Sequence, residues 1–174
     1  IVYDPGAVNM TTGLREADVA AAIGEKVRYY LEAAGCEVKL LQSDNLCWDT
    51  RYSDRNVAVC DDANGWPADV FVSIHCNAFN KQARGTETLC YSENSSAGTL
   101  ARCIQTQIVT NLRTVDRGIK ERPNLSVLRG TNMPAVLVET AFIDNDADAA
   151  LLTQRSDDFA RAIARGITDY QLML

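Results

Sequence analysis

The chain has 174 residues, 47% hydrophobic and 23% charged, which suits one globular domain that buries its own core without staples. Its 17 basic against 23 acidic residues leave a net charge of −6, which argues against a surface built to coat nucleic acid. No apolar run reaches the length of a membrane span, and the opening Ile-Val-Tyr-Asp-Pro-Gly lacks the charged start of a signal peptide.

In chain order, residues 1–3 form a short apolar run stopped by the turn signal Asp4-Pro5-Gly6. Apolar residues recur at helical spacing over 14–34, and Gly35 stops that helix. Residues 36–41 read as a strand and 49–64 as a helix ended by Gly65-Trp66-Pro67. Strands are expected at 68–76 and 85–91, and a helix capped by serine over 95–112. Further strands are expected at 125–128 and 135–140, and helices at 146–152 and 156–172. Alternating strands and helices predict an α/β fold in three layers: a mainly parallel central sheet with helices on both faces. No repeat, linker or low-complexity stretch divides residues 1–174, so a single domain is expected.

The near-continuous apolar runs Val70-Phe71-Val72-Ser73-Ile74 and Ala135-Val136-Leu137-Val138 suit strands buried on both faces. They end in polar groups, His75 and Glu139. Ligands of open α/β sheets bind beyond the carboxyl ends of the strands, so these two residues and the Asp4-Pro5-Gly6 turn mark the place for chemistry. Glu139 can serve as a general base or acid, or simply bridge to Arg129 or Lys120. His75 is the only histidine, and can be a metal ligand, a base or a core residue. Cys76 beside it should point to the opposite face, which makes a Cys76–His75 dyad geometrically poor. Glu16 has an ordinary explanation as an acidic residue in a first helical turn. The six cysteines, at 36, 47, 60, 76, 90 and 103, contain no CxxC pair, which disfavours a zinc ribbon. Free thiols are the main expectation, with a Cys47–Cys60 bridge as the lesser one.

Five motifs occur in order: Asp4-Pro5-Gly6, Glu16-Ala17-Asp18, Ser73-Ile74-His75-Cys76-Asn77, Gly85-Thr86-Glu87 and Pro134-Ala135-Val136-Leu137-Val138-Glu139. Together they resemble the zinc-dependent N-acetylmuramoyl-L-alanine amidases found in bacterial cell-separation enzymes, spore enzymes and phage endolysins. The resemblance runs from about residue 1 to residue 167. It implies hydrolysis of the amide between N-acetylmuramic acid and the L-alanine of the stem peptide. It also implies one zinc held by histidine, glutamate and histidine, with a further glutamate working on the bound water. Position by position, Glu16 matches the ligand glutamate, His75 the second ligand histidine and Glu139 the catalytic glutamate. The first ligand histidine normally follows Asp-Pro-Gly, where this chain has Ala7.

Alanine offers no donor atom, and a catalytic zinc takes three protein ligands with an open position for water. Of the neighbours, Asn9 is a poor ligand type and Asp4 belongs to the turn, so weak or absent zinc binding is expected. The retention of Glu16, His75 and Glu139 favours a substitution made to trap an inactive enzyme over a natural pseudo-amidase that keeps only the binding groove. Asn77 is a candidate donor to the oxyanion, and Arg117, Lys120 and Arg129 are candidates for holding an anionic stem peptide. Some relatives carry a long inserted segment that blocks the groove; the short stretch between Arg113 and Leu125 leaves no room for one. The implied partners are the stem peptide and muramyl glycan, the implied place of action the cell wall or periplasm. A monomer is expected, with any wall-targeting part outside this chain.

Overall fold

The computed structural model describes residues 5–41 and 58–174. Helix α1 (Glu16–Ala33) turns Val19, Ile23, Val27 and Leu31 inward, a spacing of three to four residues that lines up one face. Its first-turn donors have no side-chain cap; instead Glu16 N–H and Ala17 N–H donate to the carbonyls of Ala7 and Pro5. The chain leaves this helix through Gly35, at φ +88°. Helix α2 (Val59–Gly65) follows, then strand β1 (Phe71–Asn77) and strand β2 (Thr86–Cys90). Helix α3 (Ser96–Leu112) starts at Ser95, whose side chain accepts from Gly98 N–H. Strand β3 (Asp116–Glu121), helix α4 (Ser126–Arg129) and strand β4 (Ala135–Phe142) complete the sheet. Helices α5 (Asp146–Gln154) and α6 (Ser156–Gln171) close the chain.

Among the described residues the four strands form one sheet in the order β1-β4-β2-β3. The β1–β4 and β2–β3 pairs are parallel and the β2–β4 pair is antiparallel, so the sheet is mixed. The α/β class, with helices on both faces, is as expected. One face meets α1, α3 and α6, with Val136, Val138, Ile104, Ile108, Phe159 and Ile163 in the main core. Phe159, Ile163 and Ile167 recur every fourth residue of α6, and each such burial stabilises by roughly 1.5–3 kcal/mol. The other face carries a smaller cluster of Leu89, Ala135 and Leu137 under Val127 and Leu128 of α4 and Cys60 of α2.

Several expectations are corrected. Residues 125–128 are not a strand: Ser126–Arg129 is a single helical turn, and three apolar residues in a stretch of four cannot tell the two apart. Residues 36–41 pair with no strand among the described residues. β3 was not foreseen, because Asp-Arg-Gly-Ile-Lys-Glu has no apolar run and lies at a sheet edge. The expected strand at 1–3 and most of the helix at 49–64 lie outside the described residues. Cys36, Cys76, Cys90 and Cys103 are free thiols, whereas Cys60 is disulfide-bonded, contrary to the main expectation. Cys47, the sixth cysteine, lies outside the described residues. No helix among the described residues is long and apolar enough to cross a membrane.

Candidate active site

Strand alternation places Ser73 and His75 of β1, Leu137 and Glu139 of β4, and Glu87 and Leu89 of β2 on the α4 side of the sheet. The register then aligns them. His75 sits opposite Glu139, and Glu139 opposite Glu87. Arg117 of β3 extends the row by donating from Nε to Glu87 Oε2 at 3.2 Å. One polar row, His75–Glu139–Glu87–Arg117, therefore crosses all four strands. Lys120 pairs with Leu89 in register and lies on the same face. Arg129 ends α4, which packs over Ala135 and Leu137; it stands on this face too, nearer the start of β4. Cys76 points the other way, into the main core.

Glu16 reaches the row from the side. His75 Nδ1 lies 2.8 Å from Glu16 Oε1, which also accepts from Cys76 N–H at 3.2 Å. Glu16 Oε2 accepts from Ala7 N–H at 2.8 Å. The carboxylate is thus gripped by the loop before its own helix and by the end of β1. Gly6, at φ +65°, leaves room for it, since a Cβ there would fall on Glu16 Oε2.

Burial works to raise the Glu16 pKa, but the His75 hydrogen bond and the Ala7 and Cys76 amides outweigh it and hold the carboxyl below its usual value. Burial works to lower the His75 pKa, and the Glu16 hydrogen bond with the charges of Glu139 and Glu16 outweighs that and raises it. The 2.8 Å contact thus favours the charged form of each partner, and His75 Nε2 lies 3.1 Å from Ser73 Oγ. Glu139 is pushed the opposite way. Burial, together with the like charges of Glu16 and Glu87, raises its pKa to about 7 despite the attraction of His75. Its Oε2 is buried with no hydrogen-bond partner. A half-protonated carboxyl with an uncommitted oxygen is equipped to accept and return a proton near neutral pH.

The donor set does not fit a firmly held catalytic zinc. Glu16 and His75 converge, but the third side of their contact is formed by the backbone of Ala7, whose methyl group cannot coordinate. Among the described residues no group of three or more His, Cys, Asp or Glu is placed to hold a metal ion. Asn9 does not fill in: its Oδ1 accepts from the amides of Thr11 and Thr12, and its Nδ2 donates to the Ile143 carbonyl.

Asn77, at the end of β1, donates from Nδ2 to Glu87 Oε1 at 3.1 Å. Glu87 was part of a recognised motif but carried no assigned role in the sequence; only its register opposite Glu139 brings it into the site. Cys76 is inert, since burial pushes its thiol up to about 12.

The fold has close counterparts. The family model described as N-acetylmuramoyl-L-alanine amidase (Amidase_3) matches residues 2–169. The chain is 37% identical over 172 residues to the N-acetylmuramoyl-L-alanine amidase LytC of Bacillus subtilis, covering 96% of this chain and 33% of that protein. It is 36% identical over 176 residues to the endolysin of Bacillus phage SPP1, covering 95% of this chain and 61% of the endolysin. The chain therefore spans less than two thirds of either relative. Among solved structures, N-acetylmuramoyl-L-alanine amidase AmiC2 of Nostoc punctiforme superposes with a TM-score of 0.81 at 31% identity, covering 97% of this chain and 90% of that one. A family match over nearly the whole length, shared by a solved structure of the same fold, means that the chain belongs to the N-acetylmuramoyl-L-alanine amidase family.

Proposed function

We propose that this chain is the peptidoglycan-binding catalytic scaffold of an N-acetylmuramoyl-L-alanine amidase in which the metal site is incomplete, so that it holds the wall substrate without cutting it efficiently. The observation that carries this reading is the Ala7 corner: its N–H binds Glu16 beside His75, and its side chain supplies no third donor. Family membership supplies the substrate class, the amide between N-acetylmuramic acid and L-alanine, and the cell wall as the place of action. With a firmly held zinc, the metal would activate water and polarise the scissile carbonyl. In this chain the two remaining candidate ligands, Glu16 and His75, contact each other at 2.8 Å.

The other groups support substrate handling. Glu139 is the proton carrier of the site, able to take a proton from water and pass it to a departing amine. Arg117, Lys120 and Arg129 give the face positive charge for an anionic stem peptide, and Asn77 offers its second Nδ2 hydrogen to a developing oxyanion. The test is muropeptide cleavage with added zinc by this chain and by Ala7→His. Cleavage by Ala7→His alone supports an incomplete amidase. Inactivity of both, with retained binding, supports a pseudo-amidase that only grips peptidoglycan. Chelator-resistant cleavage by the present chain contradicts the proposal.

A further inference from the structure

We infer that Glu87 is a positioning residue that holds Arg117 ready to receive a carboxylate of the stem peptide, making the Glu87–Arg117 pair a specificity determinant for acidic over amidated stems. This deepens the functional reading above and rests on it for the substrate.

Three observations carry the inference. First, Glu87 stands directly opposite Glu139 in the antiparallel β2–β4 pair. Like charges at opposed positions destabilise a sheet, so this placement is poor if stability is its only task. Second, both Glu87 oxygens are used and its side chain is only 13% exposed: Oε1 accepts from Asn77 Nδ2 and Oε2 from Arg117 Nε. The carboxylate thus ties the end of β1 to β3. Third, Arg117 is held from two directions and is still open. Its Nε is on Glu87, its guanidinium carbon lies 5.0 Å from the centre of the Phe142 ring, and the side chain remains 39% exposed.

A guanidinium fixed through Nε keeps its two terminal nitrogens as a fork, which matches a carboxylate in two parallel hydrogen bonds. A neutral amide in the same place offers one acceptor oxygen and no charge. Lys120, on the same strand and face, adds positive charge but no planar fork. Arg117 stands beside Glu87 where the β2–β3 register shifts between Thr86 and Thr88, next to Gly118 at φ +74°.

The test measures binding of N-acetylmuramoyl-L-alanyl-D-glutamate, and of the same compound with its carboxylates amidated, to the chain, Glu87→Gln, Arg117→Ala and the double variant. Glu87→Gln is expected to weaken the acidic ligand about tenfold and the amidated one less than about twofold, as befits a charge-assisted contact. Adding it to Arg117→Ala should cause no further loss. Equal losses for both ligands, or independent losses in the double variant, would overturn the inference. The Arg117 Nε–H resonance of the free protein provides a readout that needs no ligand. It should be protected from exchange, and lose protection in Glu87→Ala, which removes both acceptor oxygens; an unprotected resonance in the parent chain overturns the positioning role and leaves the amidase reading intact. Failure of the parent chain to bind either compound overturns the functional reading, and with it the assignment of the ligand.

Discussion

Replacing Glu139 by glutamine should stabilise the folded chain above neutral pH and remove much of its dependence on pH. The folded-state pKa of Glu139 is about 7 against 4.5 for the ordinary carboxyl, raised chiefly by burial. Between those values the folded state holds a proton that the unfolded chain has released, so stability falls as pH rises through this window. Above it the whole penalty of an ionised, buried carboxylate remains. The span from 4.5 to about 7 corresponds to about 3 kcal/mol. His75, whose pKa is raised, contributes stability that is complete below 6.5 and lost as pH rises through its folded value. Glu16, whose pKa is lowered, contributes stability present above 4.5 and lost as pH falls through its folded value. From 4.5 to 6.5 only Glu139 therefore produces a decline, and above 6.5 the loss of the His75 contribution adds to it, which is why the parent is compared with the variant at each pH. Urea unfolding of the parent and Glu139→Gln at about pH 5 and about pH 8 isolates it. The variants should match at the lower pH, and Glu139→Gln should be about 3 kcal/mol more stable at the higher. Equal pH slopes, or a less stable glutamine variant at high pH, would refute the account of Glu139 as a buried proton carrier.

Other predictions follow from single contacts. Asp148 is 1% exposed and accepts from the amides of Gly85 and Phe142, so Asp148→Ala should cost about 3 kcal/mol in urea unfolding by leaving both donors unpaired. Gly166 lies where α6 crosses α3, and a Cβ there would be 2.5 Å from Ile104 Cα; Gly166→Ala should cost roughly 1–3 kcal/mol and lower the unfolding temperature. Iodoacetamide at mildly alkaline pH should label Cys36 and Cys103 well before Cys76, whose thiol is buried and pushed up to about 12. Rapid labelling of Cys76 would reopen the dyad that strand geometry disfavours.

The legible parts of the sequence were those where one physical signal dominated. β1 and β4 declared themselves by apolar runs long enough to need cover on both faces, and α3 by its serine cap. The polar ends of those runs, His75 and Glu139, do lie opposite each other in register. What stayed hidden depended on tertiary pairing. β3 is stabilised by β2 and carries few apolar residues of its own. The reversed direction of β2 relative to β4 is not encoded in any local pattern, yet it brings Glu87 opposite Glu139. The burial of Glu139 Oε2 and the sharing of Glu16 between His75 and the Ala7 amide are likewise visible only in three dimensions.

The most direct test of the central claim is the zinc affinity of the metal-free chain, measured by competition with a chromophoric chelator, beside that of Ala7→His. A third ligand should tighten binding at least about a hundredfold, because a three-ligand set is what holds a catalytic zinc. The account predicts weak binding by the present chain and stoichiometric, tight binding by Ala7→His. Equally tight binding by both would contradict it, because Ala7 would then not be the missing part of the site.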